Sequence, residues 1–446
     1  MAKYAWLAFF IFFTSILQSE GAAAGNAVVF AWSGAAGVQS ATVNAQLAQD
    51  SNDVRLMVSE RDDLSSPMLS GTYTATMATN RVVSIPVSGL TPNTQYYYAL
   101  AVNGLVYSGM QGQFHTYPNY PSPFTFALSG DANTGSDHSV FETIRTQNPL
   151  FFLHLGDLFY ENIDVNDINL YRSAYDAVLA SPGQASLYRN VTLNYMWDDH
   201  DYGPNNSDST SPSRQAARLA YQEYVPHYPL AAGSGDVPIY HSFSVGRVRF
   251  IVTDTRSERT PNAAPDNSSK SMLGSAQKAW FKQQLLDANG NYPIIFWVNS
   301  VPWIFPPTPG ADAWGGFTHE RAELADFIVN NNIEGLFMVS ADAHMLAIDD
   351  GSNSNYSQQP GAGFALMHAA ALDRTGSLKG GPYSEGAIPG GGQFGLITVH
   401  DNGGDTICMD WSGRDAGNNE LIAWGTCVPA PPLSKTNFIY LPALSK

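Results

Sequence analysis

Short runs of alternating apolar and polar residues fill the chain from Asn26 to about Tyr117. Residues 41–48, 54–59, 81–104 and 109–118 show this alternation, with Gly, Pro and Asn between them. A period of two puts one side of each strand against a core and the other side in water. The pattern predicts an all-β sandwich over residues 25–118.

The segment GLTPNTQYYYALAVNG, residues 89–104, resembles the end of a fibronectin type III or related immunoglobulin-like domain. The region contains no cluster of potential metal ligands. We therefore interpret it as an accessory module.

The pattern changes after the Pro-rich segment 116–123. Apolar strands at 124–129 and 150–157 flank a helical pattern at 138–148, which is the signature of a βαβ unit. Further strands are predicted within 247–256, 292–303 and 333–345, and helices at 213–225, 274–288 and 320–331. Antiparallel strands follow Gly390. We expect an α/β (α+β) domain over 124–428, with parallel and mixed sheets flanked by helices, and a tail at 429–446.

The 446 residues suit two or three domains, and the formal net charge is −17. No run of basic residues is present. An acidic surface of this kind argues against binding to nucleic acid or to anionic lipid, so nucleic acid enters only as a possible substrate. We expect a monomer.

The N-terminus has one Lys at position 3, an apolar block at 5–17 and then small polar residues. This order predicts a secretory signal over residues 1–24, cleaved between about Ala22 and Gly25. An uncleaved anchor is the alternative. With the signal removed, no segment reaches membrane-spanning length. The mature protein is expected to be secreted, periplasmic or on the cell surface.

The two cysteines of the chain, Cys408 and Cys427, lie 19 positions apart in the predicted C-terminal strands. An exported protein meets an oxidising environment, which favours a disulfide. Free thiols are the alternative.

Polar residues follow five of the predicted apolar strands. Open α/β sheets collect their ligands at the carboxyl ends of the strands, so these side chains are expected to converge. The candidates, grouped by strand end, are Asp131 and Asn133; Asp157 and Tyr160; Asp199, His200 and Asp201; Asn299 and Ser300; and Asp342 and His344.

The segment LNYMWDDHDYGPNN places Asp198, Asp199 and Asp201 around His200. Acidic residues at strand ends often serve only as caps and turns. The alternative is a metal site, because cations neutralise clustered carboxylates. Carboxylate, phenol and imidazole donors suit Fe(III), Mn or Ca better than a structural zinc. Two cations sharing a carboxylate would relieve the repulsion in this segment.

The motifs SGDANTG, HLGDLFYEN, WDDHDYGPNN, FIVTDTRSER, DAWGGFTHERAELADFI and SADAHM occur in this order. Together they resemble the alkaline phosphatase D family of the calcineurin-like metallophosphoesterases, which is related to the purple acid phosphatases. The resemblance covers roughly residues 124–400, and a preceding β-sandwich is usual in that family.

The resemblance implies a site with two or more metal ions. Asp157 matches the bridging carboxylate, and Tyr160 matches the phenolate ligand of Fe³⁺. Asp131 and His344 fall where first-metal ligands belong, although family members commonly carry a Cys near Asp131. The implied cofactors are Fe³⁺ with Ca²⁺, with Mn²⁺ or Zn²⁺ as alternatives.

The second metal would be held by Asp199 and Asp342, again by resemblance. His200 should face the phosphate and its leaving oxygen, which makes His200 and Asp157 the catalytic pair. Asn299, or its neighbour Ser300, falls at a substrate contact, and Asn133 at a position behind the ligands.

The reaction implied is hydrolysis of phosphate mono- or diesters by a hydroxide that bridges the two metals. Outside these motifs, His154 is expected in the core. Asp254 and Arg256 are either site residues or a structural ion pair beside the site.

A secreted calcium-binding adhesion or carbohydrate-binding protein is the rival hypothesis, with the acidic residues purely structural. Tyr160 and His344 would then have no explanation. A third possibility is a family member whose chemistry has moved away from phosphate.

Overall fold

A computed structural model describes residues 18–19 and 27–430. Apart from residues 18–19, the predicted signal at 1–24 lies outside the described residues, as do 431–446 of the predicted tail. Among the helices of the described part, none is long and apolar enough to cross a bilayer.

Among residues 18–19 and 27–118 the structure describes nine strands, which pack as two sheets. The strands are β1 (Gln18–Ser19), β2 (Val28–Gly34), β3 (Ser40–Leu47), β4 (Ser51–Ser59), β5 (Met68–Leu69), β6 (Tyr73–Ala75), β7 (Val82–Ser88), β8 (Gln95–Val102) and β9 (Leu105–His115). One sheet has the order β1-β9-β8-β4-β5, with β6 paired to β4, while β2, β3 and β7 belong to the other.

Strand β7 illustrates why these segments are strands. Val83, Ile85 and Val87 are buried, whereas the residues between them are exposed. This alternation is the one expected of a strand with one face on a core.

The remaining elements alternate helices with mostly parallel strands, and the last strands are antiparallel. The strands are β10 (Phe124–Ser129), β11 (Phe152–His154), β12 (Leu193–Tyr195), β13 (His241–Val245), β14 (Val248–Val252), β15 (Ile294–Val298), β16 (Leu336–Ser340), β17 (Met345–Asp349), β18 (Leu366–His368), β19 (Gly386–Pro389), β20 (Gln393–His400), β21 (Thr406–Asp415) and β22 (Glu420–Pro429). The helices are α1 (Ser139–Thr146), α2 (Ile168–Ala180), α3 (Pro182–Asn190), α4 (Asp199–Tyr202), α5 (Arg214–Tyr224), α6 (Gly274–Ala288) and α7 (Thr318–Asn330).

Two sheets carry these strands. The first has nine strands in the order β22-β21-β20-β10-β11-β12-β2-β3-β7, and the second has seven in the order β13-β14-β15-β16-β18-β17-β19. Strands β10, β11 and β12 run parallel, as do β14, β15, β16 and β18. The carboxyl ends of each parallel set therefore lie at one edge of its sheet.

The two sheets pack face to face through aromatic side chains. The ring of Phe126 on β10 lies 5.4 Å from the rings of both Phe250 and Phe296 on the second sheet. On the opposite face of the second sheet, Trp297 contacts Phe281 of α6 at 4.4 Å between rings. Strands covered on both faces are apolar throughout, as in β15.

The fold is a mixed α/β fold with several sheets, as predicted. The predicted helices at 138–148, 213–225, 274–288 and 320–331 match α1, α5, α6 and α7, and the C-terminal strands are antiparallel. Helices α2, α3 and α4 were not predicted. Cys408 and Cys427 face each other on β21 and β22 as a disulfide, with 3.9 Å between their Cα atoms.

The N-terminal strands are continuous with the α/β region that follows them. Strand β2 pairs with β12 through Gly34 and Leu193, which places β2, β3 and β7 in the nine-stranded sheet. Side chains from both regions also form one buried apolar cluster. The Pro-rich segment at 116–123 therefore joins two parts of one continuous core.

Candidate metal centre

Residues that follow β10, β11, β12, β15 and β16 meet where the two sheets come together. The backbone N–H groups of Asp131 and Ala132 donate to the carbonyls of Gly156 and Asp157, at 3.2 and 2.9 Å, which ties the first two ends together. A hydrogen bond of 2.8 Å from Ala341 to the carbonyl of Ser300 does the same in the second sheet.

Four of the candidate ligands have left-handed backbone conformations. The φ angles are +61° at Asp131, +56° at Asp157, +60° at Asp342 and +50° at His344. Such angles are costly for residues other than Gly, and they cluster at functional sites. In each case the chain turns sharply at the end of a strand.

Gly156 permits the close approach of β11 and β12. Its φ is +112°, and a Cβ atom at this position would lie 2.5 Å from Cβ of Asp198. Only glycine allows Asp157 and the WDDHD segment to lie this close together.

Two groups of ligand atoms are close enough to hold a cation. One ligand atom from each of Asp157, Asp199 and His200 lies within 4.8 Å of the others, and the same is true of Asp198, Asp199 and Asp342. Asp199 belongs to both groups. The structure thus places Asp157 and Asp342 each beside Asp199, and their role as metal ligands stays a prediction.

Tyr160, His344 and Asp131 form the other side of the cluster. The Tyr160 hydroxyl lies 2.9 Å from Nε2 of His344, and this nitrogen lies 3.5 Å from Oδ1 of Asp131. The other ring nitrogen of His344, Nδ1, lies 2.8 Å from the carbonyl of Thr375. That contact fixes the ring with Nε2 toward Tyr160 and Asp131.

The ring of Tyr160 also contacts His200 and Arg374. The Tyr160 and His200 rings stack at 3.9 Å, and the guanidinium carbon of Arg374 lies 3.8 Å from the centre of the Tyr160 ring. His200 is held by a contact of 2.7 Å between its Nδ1 and Oδ1 of Asn162. Arg374 donates to Oδ1 of Asn133 at 2.6 Å, which places Asn133 against a residue that contacts Tyr160.

Asp198 is held by the buried guanidinium of Arg256. Arg256 donates to both of its carboxylate oxygens, at 2.6 and 2.9 Å, and also to Asp312 at 2.9 Å. The suggested ion pair of Asp254 with Arg256 is wrong in its partner. The Asp254 carboxylate instead accepts from Trp197 and from backbone N–H groups, including that of Arg256.

Asp201 turns away from the cluster and caps the chain. Its carboxylate accepts from the backbone N–H groups of Asp198 and Leu158 and from the hydroxyl of Tyr195, at 2.6 to 2.9 Å. Of the three acids in WDDHD, one is therefore paired with Arg256, one caps the chain, and Asp199 is left for the site.

Asn299 and Ser300 have different surroundings. The Asn299 amide donates to the carbonyl of Val301 and accepts from Trp314, and neither partner belongs to the acidic cluster. Ser300 donates to Asp198 at 2.5 Å. Ser300 therefore contacts an acid of the cluster, whereas the partners of Asn299 lie outside it; the role of either residue at a substrate stays a prediction.

Burial and mutual repulsion shape the charges of the cluster. Burial, followed by the charges of Asp342 and Asp198, raises the pKa of Asp131 well above its ordinary value. Burial and then Asp199 do the same to the pKa of Asp157. Without cations, the cluster therefore favours protonated acids.

Two carboxylate oxygens of the proposed ligands are buried and lack hydrogen-bond partners among the described residues. They are Oδ2 of Asp131 and Oδ1 of Asp199, although the latter has Arg256 at 3.7 Å. Buried carboxylate oxygens are costly unless paired. Together with the phenol and the imidazole, these oxygens make a donor set that fits hard cations.

Lys379 and Arg374 were missed by sequence reasoning. Lys379 donates to the carbonyl of Asp342 at 2.7 Å and lies 3.3 Å from its carboxylate. Both side chains belong to the loop after β18, a strand that the sequence analysis did not predict. His154 lies in the core as expected, and burial lowers its pKa to about 3.

Known proteins with similar sequences or folds bear on this site. A family model for PhoD-like phosphatases matches residues 124–376, more than half of the chain. Alkaline phosphatase D of Bacillus subtilis (strain 168) is 22% identical over 323 residues, which cover 61% of this chain and 55% of that protein. The chain thus spans about half the length of this curated relative. A solved structure of PhoD superposes with a TM-score of 0.73 at 18% identity, covering 89% of each chain, and shows the shared fold.

Proposed function

The chain belongs to the PhoD-like phosphatase family, and from this premise we propose that it is a secreted, metal-dependent phosphoesterase acting on phosphate mono- or diesters. One observation carries the proposal: acids from separate strand ends converge on a site where Oδ2 of Asp131 and Oδ1 of Asp199 are buried without hydrogen-bond partners in the described part of the chain. An enzyme that used these acids only as caps would satisfy those oxygens within the chain.

The proposed ligands divide into two groups. Asp131, Tyr160 and His344 would hold the first cation, and Asp199 and Asp342 the second, with Asp157 shared. Tyrosine and histidine donors favour Fe³⁺ at the first position, and an all-carboxylate pair favours Ca²⁺ at the second, with Mn²⁺ or Zn²⁺ as alternatives. When bound, such cations supply Lewis acidity, which polarises the phosphoryl group and makes water nucleophilic near neutral pH.

His200 is the proposed proton donor to the leaving oxygen. Its Nδ1 is committed to Asn162, and this contact orients the ring over Tyr160 with Nε2 4.0 Å from Oδ2 of Asp199. Burial lowers the pKa of His200 in the metal-free chain. An incoming phosphate dianion would favour the protonated imidazole, which could then transfer its proton.

The polar wall of the site would position the ester. Asn299 or its neighbour Ser300 is the proposed contact: the Ser300 hydroxyl is hydrogen-bonded to Asp198 and Thr255, and the Asn299 amide to Val301 and Trp314. Arg256 pairs with Asp198 and would keep that acid out of the ligand set.

Export, domain limits and assembly are further parts of the proposal. A signal at residues 1–24 would direct the chain out of the cytoplasm, and the Cys408–Cys427 disulfide is consistent with an oxidising compartment. The β-strands at 25–118 would form an immunoglobulin-like accessory region, followed by the catalytic domain at 124–428 and a tail at 429–446. We propose a monomer.

The test compares the purified protein before and after removal of its metals. We expect hydrolysis of p-nitrophenyl phosphate or of bis(p-nitrophenyl) phosphate, loss of that activity on chelation, and recovery when Fe³⁺ and Ca²⁺ are restored. The ratio of the two rates gives the monoester or diester preference. Fully metal-loaded protein that hydrolyses neither ester would contradict the proposal and favour a calcium-binding adhesion or carbohydrate-binding protein.

A further inference from the structure

Tyr160 is enclosed on both faces of its ring. His200 stacks on one face, with 3.9 Å between ring centres and 25° between ring planes. The guanidinium carbon of Arg374 lies 3.8 Å from the ring centre. A cation over an aromatic face at this distance is attracted by the electrons of the ring.

Arg374 is built into its position. Asn133 is anchored by three hydrogen bonds to Asp373, through its backbone N–H at 2.6 Å and its amide nitrogen at 3.0 and 3.2 Å. The amide oxygen of Asn133 then accepts from Arg374 at 2.6 Å. The end of β10 thus fixes the guanidinium, which comes from a loop 241 positions further along the chain.

Arg374 forms no ion pair with a carboxylate of the described residues. Within the described part of the chain, no carboxylate oxygen lies within 4.0 Å of its guanidinium nitrogens, although the site is rich in acids. Arg256, by comparison, pairs with Asp198 and Asp312. Because Asn133, the hydrogen-bond partner of Arg374, is neutral, the positive charge of Arg374 remains next to the ring of Tyr160.

We propose that Arg374 is a positioning residue that acts through Tyr160, holding the phenol toward the ligand cluster and stabilising the electron-rich, metal-binding form of its ring. The inference rests on the proposed function, because it takes Tyr160 as a ligand. A guanidinium next to a phenolate is attracted both by the negative charge of the phenolate and by the electrons of the ring face. The Arg374–Tyr160–His200 stack would also keep the imidazole in place for the leaving group.

The experiment uses full-length protein loaded with Fe³⁺ alone. Arg374→Met removes the charge and keeps much of the side-chain length, Arg374→Lys keeps the charge, and Arg145→Met is a matched control at an exposed pair with Glu142. Iron affinity and the visible absorption band of the tyrosine–iron pair are measured for each. Tyr160→Phe identifies the band that depends on this tyrosine.

We expect Arg374→Met to bind iron about 10- to 100-fold more weakly, the usual effect of losing a group that supports a ligand. Its band should move to longer wavelength. The absorption transfers an electron from the ring to iron, and a nearby cation opposes the loss of that electron. Arg374→Lys should return the band toward its wild-type position, and Arg145→Met should match the wild type in both measurements.

The possible outcomes distinguish the role of Arg374 from the assignment of Tyr160 as a metal ligand. A Tyr160-dependent band that Arg374→Met leaves in place would overturn the role of Arg374 alone, even if iron affinity fell, because a merely structural loss would weaken binding without moving the band. Iron-loaded wild type whose absorption is unchanged by Tyr160→Phe would overturn the assignment of Tyr160 as a ligand, and this inference with it.

Discussion

The hydroxyl of Tyr160 lies 2.9 Å from Nε2 of His344, although 184 positions separate the two residues in the chain. Tyr160 follows β11 of the nine-stranded sheet, and His344 follows β16 of the seven-stranded sheet. Their contact therefore forms only when the two sheets pack together. The site is a product of the assembled sandwich, and neither sheet contains it alone.

His200→Ala should lower kcat by about 10²- to 10⁴-fold, the usual range for a general acid, while both metals are retained. The reason is that His200 is proposed to serve the leaving group and not the cations. Metal analysis and initial rates on the same sample check this, with His319→Ala, an exposed histidine, as the control. Loss of one metal would instead make His200 a ligand beside Asp157 and Asp199, whose ligand atoms lie within 4.8 Å of it.

Arg256→Met should reduce the free energy of unfolding by about 3–5 kcal/mol, because it leaves the buried carboxylates of Asp198 and Asp312 without their cation. Urea denaturation measures the change. Arg145→Met, at an exposed pair, should change it by less than about 1 kcal/mol. Equal effects of the two substitutions would refute the claim that Arg256 holds a buried acid.

The metal-free protein should lose stability as pH rises. Burial raises the pKa of Asp201 to about 8, so the folded state binds a proton that the unfolded state releases near pH 4. The stabilisation is complete below about pH 4 and is lost as pH rises toward 8, with a limiting slope of about 1.4 kcal/mol per pH unit for one proton. The raised pKa values of Asp131 and Asp157 act in the same direction.

Urea denaturation at pH 5, 7 and 9 measures this slope, and Asp201→Asn should make it shallower because the substituted side chain does not titrate. Metal-loaded protein should vary less, since cations replace protons on the ligands. A metal-free protein that became more stable between pH 5 and 8 would contradict the assigned environment of Asp201.

Replacing both Cys408 and Cys427 by Ala should lower the free energy of unfolding by about 3 kcal/mol in the chain-entropy account of disulfides. The bond joins β21 and β22, which carry none of the proposed ligands, so the metal content should not change. Denaturation with and without reductant is the measurement. Two thiols that react in the unreduced, unfolded wild type would disprove the bond in solution.

The strand ends of the site could be predicted from sequence because apolar strands followed by Asp have a clear pattern, and parallel pairing brings such ends together. Which of Asn299 and Ser300 contacts the acids could not be predicted from sequence. Adjacent residues at a strand end point in different directions, and the turn after β15 decides which one faces the acids. Sequence pattern predicts that a strand ends, but it does not determine the dihedral angles of that turn.

Arg374 and Lys379 could not be predicted as site residues from sequence, for a different reason. They lie on a loop after β18 whose path is set by hydrogen bonds to distant residues, such as the bond from Arg374 to Asn133. The joining of β2 to β12 is similarly a tertiary contact, made through Gly34 and Leu193. Alternation predicts strands, but it does not identify their neighbours across a domain boundary.

We propose that Asp157 is the carboxylate shared by two catalytic metals, and the substitution Asp157→Asn probes this role. The substitution removes a charge while keeping the size of the side chain, including an oxygen that can accept from the N–H of His200, as Asp157 does at 3.1 Å. Metal content per chain and phosphate ester hydrolysis are measured together on folded, metal-saturated protein. We predict fewer bound metals than in the wild type and no measurable hydrolysis, whereas a variant with full metal content and wild-type kcat would show that Asp157 is not a shared ligand.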